Sequence, residues 1–310
     1  MTRTVQSSRS DARPKAGRWR CPPRALLRGT RPRHWIKNLL VLATPIAAGK
    51  IFFPSVLLPA LVAAVALSLI SSGVYLFNDI MDRKADRAHP KKRFRPIASG
   101  ELSVRPALLA AVLLLVAGNL LAAFISPATL AVTGGYSLLM LFYSAALKHE
   151  PVIDIAVVAV GFVLRTVAGG VAAHIFISHW FLLVAGFGSL FVVAGKRYSE
   201  LITHREGAVA SRRSLASYTP GFLNFVRSVA AGATVITYCQ WAFERAAMHS
   251  GLPFLIEISI APFVLAILRY ALLIENGVAE APEELLIHDT TLLALGLSWS
   301  AIMAVGLFVF

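Results

Sequence analysis

Long apolar runs separated by short polar connections dominate this chain. Nine runs stand out, at 35–53, 56–80, 106–125, 128–147, 152–173, 178–196, 222–243, 253–273 and 290–310. A run such as Val56 to Ile80 is long enough to cross a bilayer as a helix. The first run is the weakest, because Pro45 interrupts it. The connections after runs one, three, five and seven are short, as at Phe53-Pro54-Ser55 and Ser126-Pro127. The pattern predicts an all-α integral membrane protein with nine transmembrane helices over 34–310. Residues 1–33 are polar and Arg-rich with no apolar core. They read as a disordered basic arm rather than a signal peptide.

Composition agrees: 57% of residues are hydrophobic and the mean hydropathy is +0.69, too apolar for a soluble domain. The formal net charge of +14 invites a nucleic-acid reading, but its distribution argues against one. Of the 30 Lys and Arg, all but Lys50, Arg245 and Arg165 belong to the tail and the even-numbered connections. That asymmetry is the positive-inside pattern. It predicts a multi-pass protein of the plasma membrane, with the N-terminus and the connections around 81–105, 148–151, 197–221 and 274–289 on the cytoplasmic side. Cys21 and Cys239 are too far apart to form a disulfide framework or a metal motif. Oligomeric state is left open, and a homo-oligomer is compatible with the pattern.

The second run ends in Asn78-Asp79-Ile80-Met81-Asp82-Arg83-Lys84-Ala85-Asp86. Asn78, Asp82 and Asp86 are spaced i, i+4, i+8 and share a helix face, and Asp79 can join them. One Asp there would be a hydrated helix end. Four oxygen-bearing side chains repel one another unless a cation sits among them. Mg²⁺ suits the set, because it takes carboxylate oxygens together with substrate phosphates. Asn78, Asp82 and Asp86 are the expected ligands. The next connection is basic, with Lys91, Lys92, Arg93, Arg95 and Arg105. Acids for a metal beside bases for phosphate oxygens describe a pyrophosphate site.

Other candidates lie further on. Tyr143, Lys148 and Asp154 surround the connection after run four. Arg165 lies three helical turns beyond Asp154, and an arginine inside a membrane helix is rare enough to suggest function. Lys196, Arg197 and Tyr198 suit phosphate or ribose, though interfacial anchoring would also place them there. Lys37, just inside run one, would otherwise be a snorkelling anchor. The last connection, Ala281 to Asp289, is acidic and has no evident role.

These motifs together resemble the UbiA superfamily of intramembrane prenyltransferases. N-D-x-x-D-x-x-x-D matches Asn78, Asp79, Asp82 and Asp86, and R-P-[LI]-x-S-G matches Arg95 to Gly100. Y-x-x-x-K with a later Asp matches Tyr143, Lys148 and Asp154 loosely, since Lys148 is five residues on. A second aspartate pair found in many relatives is reduced to Asp154. The resemblance covers residues 31–310 and implies a nine-helix bundle with catalytic Asn78, Asp79, Asp82, Asp86, Lys148 and Asp154. Arg31–Asn38, His89–Pro96, Gly195–Tyr198 and Ala281–Glu284 resemble the branch that moves 5-phosphoribose from phosphoribosyl pyrophosphate to a polyprenyl phosphate. That implies a role in arabinan cell-wall precursor synthesis. Lys196, Arg197 and Tyr198 would then take the 5-phosphate or ribose, and Lys37, Arg93, Lys148 or Arg165 the acceptor phosphate. The rival expectation is an aromatic prenyltransferase of quinone or haem biosynthesis. The surplus of cations favours two phosphorylated substrates.

Overall fold

In the computed structural model, residues 20–205, 215, 217–248, 251–276 and 288–308 are described, and among them there is no strand. The chain opens with α1 (Pro23–Thr30), followed by a 3₁₀ segment over Pro32–Leu42 and the short α2 (Ala43–Ala47). The long α3 (Pro54–Met81) leads into α4 (Arg83–Ala88) and α5 (Pro96–Ser99). Three spans follow, α6 (Val104–Ile125), α7 (Pro127–Ala145) and α8 (Ile153–Ala172). The second half holds α9 (His179–Arg205), α10 (Pro220–Ala247), α11 (Pro253–Ile258), α12 (Ile260–Glu275) and α13 (Thr290–Phe308). Counting α11–α12 as one span, eight helical spans among the described residues are long and apolar enough to cross a membrane. The protein is a multi-pass, all-α membrane protein.

The first apolar run differs from the expected α-helix. Its i→i+3 winding has a local cause. Pro45 has no N–H to offer the Val41 carbonyl four residues back. That carbonyl lies instead against Gly169 of α8, where an added Cβ would come within 1.8 Å of the Val41 oxygen. At about 2.0 Å per 3₁₀ residue and 1.5 Å per α residue, the segment with α2 extends roughly 30 Å, about a hydrocarbon thickness. It runs antiparallel to α3 across the bundle. Arg31 meets Asp79, Trp35 Nε1 donates to Ser72 Oγ at 3.0 Å, and Asn38 Nδ2 donates to Ser68 Oγ at 3.0 Å.

Part of the stretch read as a disordered arm is helical. Within 20–33, α1 packs Ala25 into a cluster with Leu76, Ile97 and Leu102. Arg24 and Arg28, four apart, share one face of Pro23–Thr30 and leave Ala25, Leu26 and Gly29 on another. Residues 1–19 lie outside the described residues, as does the Ala281–Glu284 motif.

The first half packs around α3. Small residues on it (Ala60, Ala63, Ala66) let α6, α7 and α8 approach closely. A Cβ on Gly118 of α6 would sit 2.6 Å from the Ala66 carbonyl. The second half packs α9, α10 and α12 around Phe191, Leu223 and Ile274. α6 turns Leu109, Leu113, Leu120 and Phe124 outward, as lipid contact requires. At the end of the acidic connection, Asp289 accepts from Leu292 N–H at 2.7 Å and from Arg269 Nη2 at 2.7 Å. It thus caps α13, and the Arg269 guanidinium holds its carboxyl below the usual range.

Gly169→Ala drives a methyl into the Val41 carbonyl and is expected to cost at least about 3 kcal/mol. Gly232→Ala, where nothing lies within 4 Å, is expected to be neutral or to stabilise by about 0.5 kcal/mol. Thermal unfolding of the two variants in detergent separates these outcomes.

Candidate active site

α3 is uncharged up to Phe77 and carries its acids at its C-terminal end. That is the unfavourable end for a carboxylate, because the helix dipole is negative there. The helix breaks for one residue at Asp82, yet i→i−4 bonds continue through it. Asp82 N–H donates to Asn78 O at 2.9 Å, and Asp86 N–H to Asp82 O at 2.8 Å. Asn78, Asp82 and Asp86 therefore stay on one side. Asp79 and Asp86 are 2% and 4% exposed. Burial so complete demands compensation by charge.

Three cations from three parts of the chain supply it. Arg31 Nη2 reaches Asp79 Oδ1 at 2.5 Å. Arg31 ends α1 in the left-handed region (φ 53°) and stacks its guanidinium 5.1 Å from the Tyr75 ring. Burial lowers the Arg31 pKa, while Asp79 opposes that shift. Arg95, at the start of α5, places Nη1 3.1 Å from Asp79 Oδ1 and 2.7 Å from Asp86 Oδ2. Lys148, 5% exposed on the 3₁₀ turn Leu147–His149, puts Nζ 2.5 Å from Asp82 Oδ1 and 3.3 Å from Asn78 Oδ1. Asn78 Nδ2 completes the set by donating to Asp82 Oδ2 at 3.1 Å.

Among the described residues no three acidic, His or Cys side chains gather into a metal-binding group on their own. The donor set still fits a hard cation of the Mg²⁺ type, which uses one or two carboxylates and takes its remaining oxygens from water and phosphates. Lys148 Nζ stands where such a cation would meet the Asn78 and Asp82 oxygens. Asp82, with 29% side-chain exposure, is the most open carboxylate of the three.

A second polar cluster faces the same end of the bundle. Asp154 is fully buried and accepts from Arg197 Nε at 3.2 Å and from the Tyr218 hydroxyl. Arg197 Nη1 also donates to Glu200 Oε2 at 2.8 Å. Tyr218 accepts from the Val152 N–H at 2.6 Å, and Val152 sits at φ 69°, an outlier for a β-branched residue. Burial and the Asp154 hydrogen bond push the Tyr218 phenol up, so it stays a donor. Asp154 and Glu200 thus compensate the charge of Arg197, one member of the Lys196-Arg197-Tyr198 string.

Tyr198 points elsewhere. Its hydroxyl donates to Glu275 Oε2 at 2.9 Å, and Arg227 stacks 4.5 Å from its ring while donating to Glu275. Successive helix residues diverge by about 100°, so Arg197 and Tyr198 serve different neighbours. Arg165 is 7% exposed and donates to Asn38 Oδ1 at 2.9 Å, Gly161 O at 2.8 Å and Tyr136 Oη at 2.6 Å. It lies in the bundle interior, roughly 12 Å below the acids by the rise of α3 from Ser71 to Asp79. Lys37, Lys92, Tyr143 and Lys196 are half-buried, and Arg93 is exposed with its guanidinium 4.9 Å from the Phe94 ring.

Sequence reasoning missed Arg31, Tyr218 and Glu200 as site residues. Arg31 had a signal in Arg31-Pro32, which ends a helix. Tyr218 had none, because its partners lie 64 residues or more away.

An intramembrane helical bundle with a charge-compensated acidic site at one end is thus defined. The UbiA prenyltransferase family model matches residues 39–288, and the chain belongs to that family. It is 44% identical over 288 residues to the decaprenyl-phosphate phosphoribosyltransferase of Corynebacterium glutamicum, covering 90% of this chain and 87% of that one. The Mycobacterium tuberculosis protein of the same name is 45% identical over 289 residues, covering 90% and 94%. In fold the chain is similar to a UbiA homolog from Archaeoglobus fulgidus solved with DMAPP and Mg²⁺. The TM-score is 0.71 at 21% identity, covering 91% of this chain and 97% of that one.

Arg31→Met leaves the buried Asp79 undercompensated and is expected to destabilise the protein by about 3 kcal/mol. Adding Asp79→Asn is expected to recover 1 kcal/mol or more, at the order of measured couplings between contacting residues. A double-mutant cycle of thermal unfolding in detergent checks this, and strict additivity would refute the pairing.

Proposed function

We propose that this protein transfers 5-phosphoribose from phosphoribosyl pyrophosphate to a polyprenyl phosphate, releasing pyrophosphate. The observation that carries the reading is the 44–45% identity, over 90% of the chain, to proteins named for that transfer to decaprenyl phosphate. The geometry supports it, since Arg31, Arg95 and Lys148 meet the acids at one end of the bundle. Each can exchange a carboxylate partner for a phosphate oxygen, the stronger hydrogen bonds being those between charged groups. Residues 34–310 form the catalytic domain, extended at its start by α1 and Arg31. The basic connections around the acids argue for a cytoplasmic site in the plasma membrane, and for product use in arabinan cell-wall precursor synthesis.

The acceptor is itself an anion, so no protein nucleophile is required. Its phosphate oxygen forms the bond to C1 of the ribose as the C1–O bond to pyrophosphate breaks. Lys148 and Arg95 orient the phosphates, and Asp82, Asp86 and Asn78 would hold Mg²⁺. Bound there, the metal would neutralise charge on the leaving pyrophosphate. The acidic cluster favours the positive charge that develops on the sugar, and Asp154, buried and fixed by Arg197 and Tyr218, is a positioning residue. Lys196 is the cation assigned to the 5-phosphate. Arg165 and Asn38 brace the 3₁₀ segment behind the site.

Purified protein in detergent, with Mg²⁺, polyprenyl phosphate and labelled phosphoribosyl pyrophosphate, is expected to move label into the organic phase, and EDTA to stop it. Asp82→Asn is expected to lower turnover at least about 10²-fold while the protein stays folded in detergent. Activity only with a prenyl pyrophosphate and an aromatic acid would overturn the substrate assignment. Near-wild-type turnover of Asp82→Asn would overturn the role of the acids.

A further inference from the structure

The end of the bundle opposite the acids holds a cavity of about 100 Å³ that the proposed reaction does not use. Its walls include Phe176, Phe181, Trp241, Glu244, Arg245 and Met248. By the sequence pattern, Lys50 and Arg245 are the cations of the connections at this end. Arg245 is partly buried in this wall. Its Nη2 donates to the Ala48 carbonyl at 2.6 Å, and its Nε has no hydrogen-bond partner. No carboxylate pairs with it among the described residues.

Glu244 is the neighbouring residue on α10, about 100° around the helix, so the two cannot pair face to face. The Ser178 hydroxyl donates to Glu244 Oε2, which fixes the carboxylate at the cavity wall. Phe181 and Trp241 meet at 5.9 Å between ring centroids, and Phe176 stands 82% exposed at the rim. Aromatic faces beside a carboxylate attract an ammonium group. One cavity therefore presents a carboxylate and a guanidinium, neither in a salt bridge among the described residues, and aromatic walls. It lies at the ends of the spans, where lipid headgroups sit and aromatic residues gather.

We propose that this cavity binds the headgroup of a zwitterionic phospholipid with a primary ammonium, as in phosphatidylethanolamine. The ammonium goes to Glu244 and the aromatic walls, and the phosphate to Arg245. The cavity volume of about 100 Å³ is enough for an aminoethyl group. A trimethylated ammonium could not donate to Glu244, and an uncharged headgroup would leave Glu244 unmatched.

Native mass spectrometry of the full chain, exchanged from detergent into equal amounts of phosphatidylethanolamine, phosphatidylcholine and phosphatidylglycerol, tests this. Wild type is expected to retain phosphatidylethanolamine selectively. Glu244→Gln is expected to weaken that retention about tenfold, the effect of losing a charge-assisted hydrogen bond, and to leave phosphatidylglycerol unaffected. Phe176→Ala, which alters only an exposed rim, is expected to shift retention the same way. Equal retention of the three lipids by wild type, or unchanged selectivity in both variants, would overturn the proposal.

Discussion

Carboxylates at the C-terminus of a membrane helix sit against the negative end of its dipole and near a medium that solvates them poorly. Asp79 and Asp86 are almost wholly buried in that position, so the fold has to bring positive charge to them. It does so from three directions: Arg31 follows α1, Arg95 begins α5, and Lys148 lies on the turn between α7 and α8. The network ties the N-terminal segment, the basic connection and the 146–152 turn to one helix end. Its net effect on stability is small, because desolvation offsets most of the Coulomb attraction. What it fixes is position. The same charges also suit an incoming metal and polyphosphate.

Arg31 reaches Asp79 because the segment behind it is wound as 3₁₀ rather than α. Over 11 residues the difference in rise is about 5 Å. An α-helix of the same residues, anchored by Val41 on Gly169, would end roughly that far short. The anchor and the reach are linked through Pro45, which frees the Val41 carbonyl, and through Asn38, which bonds Arg165 and Ser68. A long 3₁₀ stretch is poorly bonded within itself, and here its neighbours on α3 and α8 hold it.

Runs of apolar residues and the acid cluster were legible in the sequence because both are local patterns with a clear physical reason. The 3₁₀ winding was not. Pro45 warned of an irregularity, but its form depends on Gly169, more than a hundred residues away. The Lys196-Arg197-Tyr198 string looked like one patch, yet helical geometry sends Arg197 to Asp154 and Tyr198 to Glu275. Lys148 and Asp154 were read as one candidate site with Tyr143. Their assignment to two different clusters, one with Asp82 and one with Tyr218, needed the fold. Of the acidic connection, the described end has a role, where Asp289 caps α13.

Two buried cations mark the difference between a charge that holds the bundle together and one that can do chemistry. Arg165 bonds a carbonyl, an amide and a phenol, all neutral and all enclosed, and also stacks on Tyr136 and Phe162. Nothing can replace those partners without opening the helix packing. Lys148 is as deeply buried, but its main partner is Asp82, whose side chain keeps 29% of its surface open. A second cation or a phosphate can approach that carboxylate and release the ammonium. A rare arginine inside a membrane helix is thus explained by bracing a 3₁₀ segment. Lys148, beside the partly open Asp82, is the buried cation whose exchange of partners is sterically allowed.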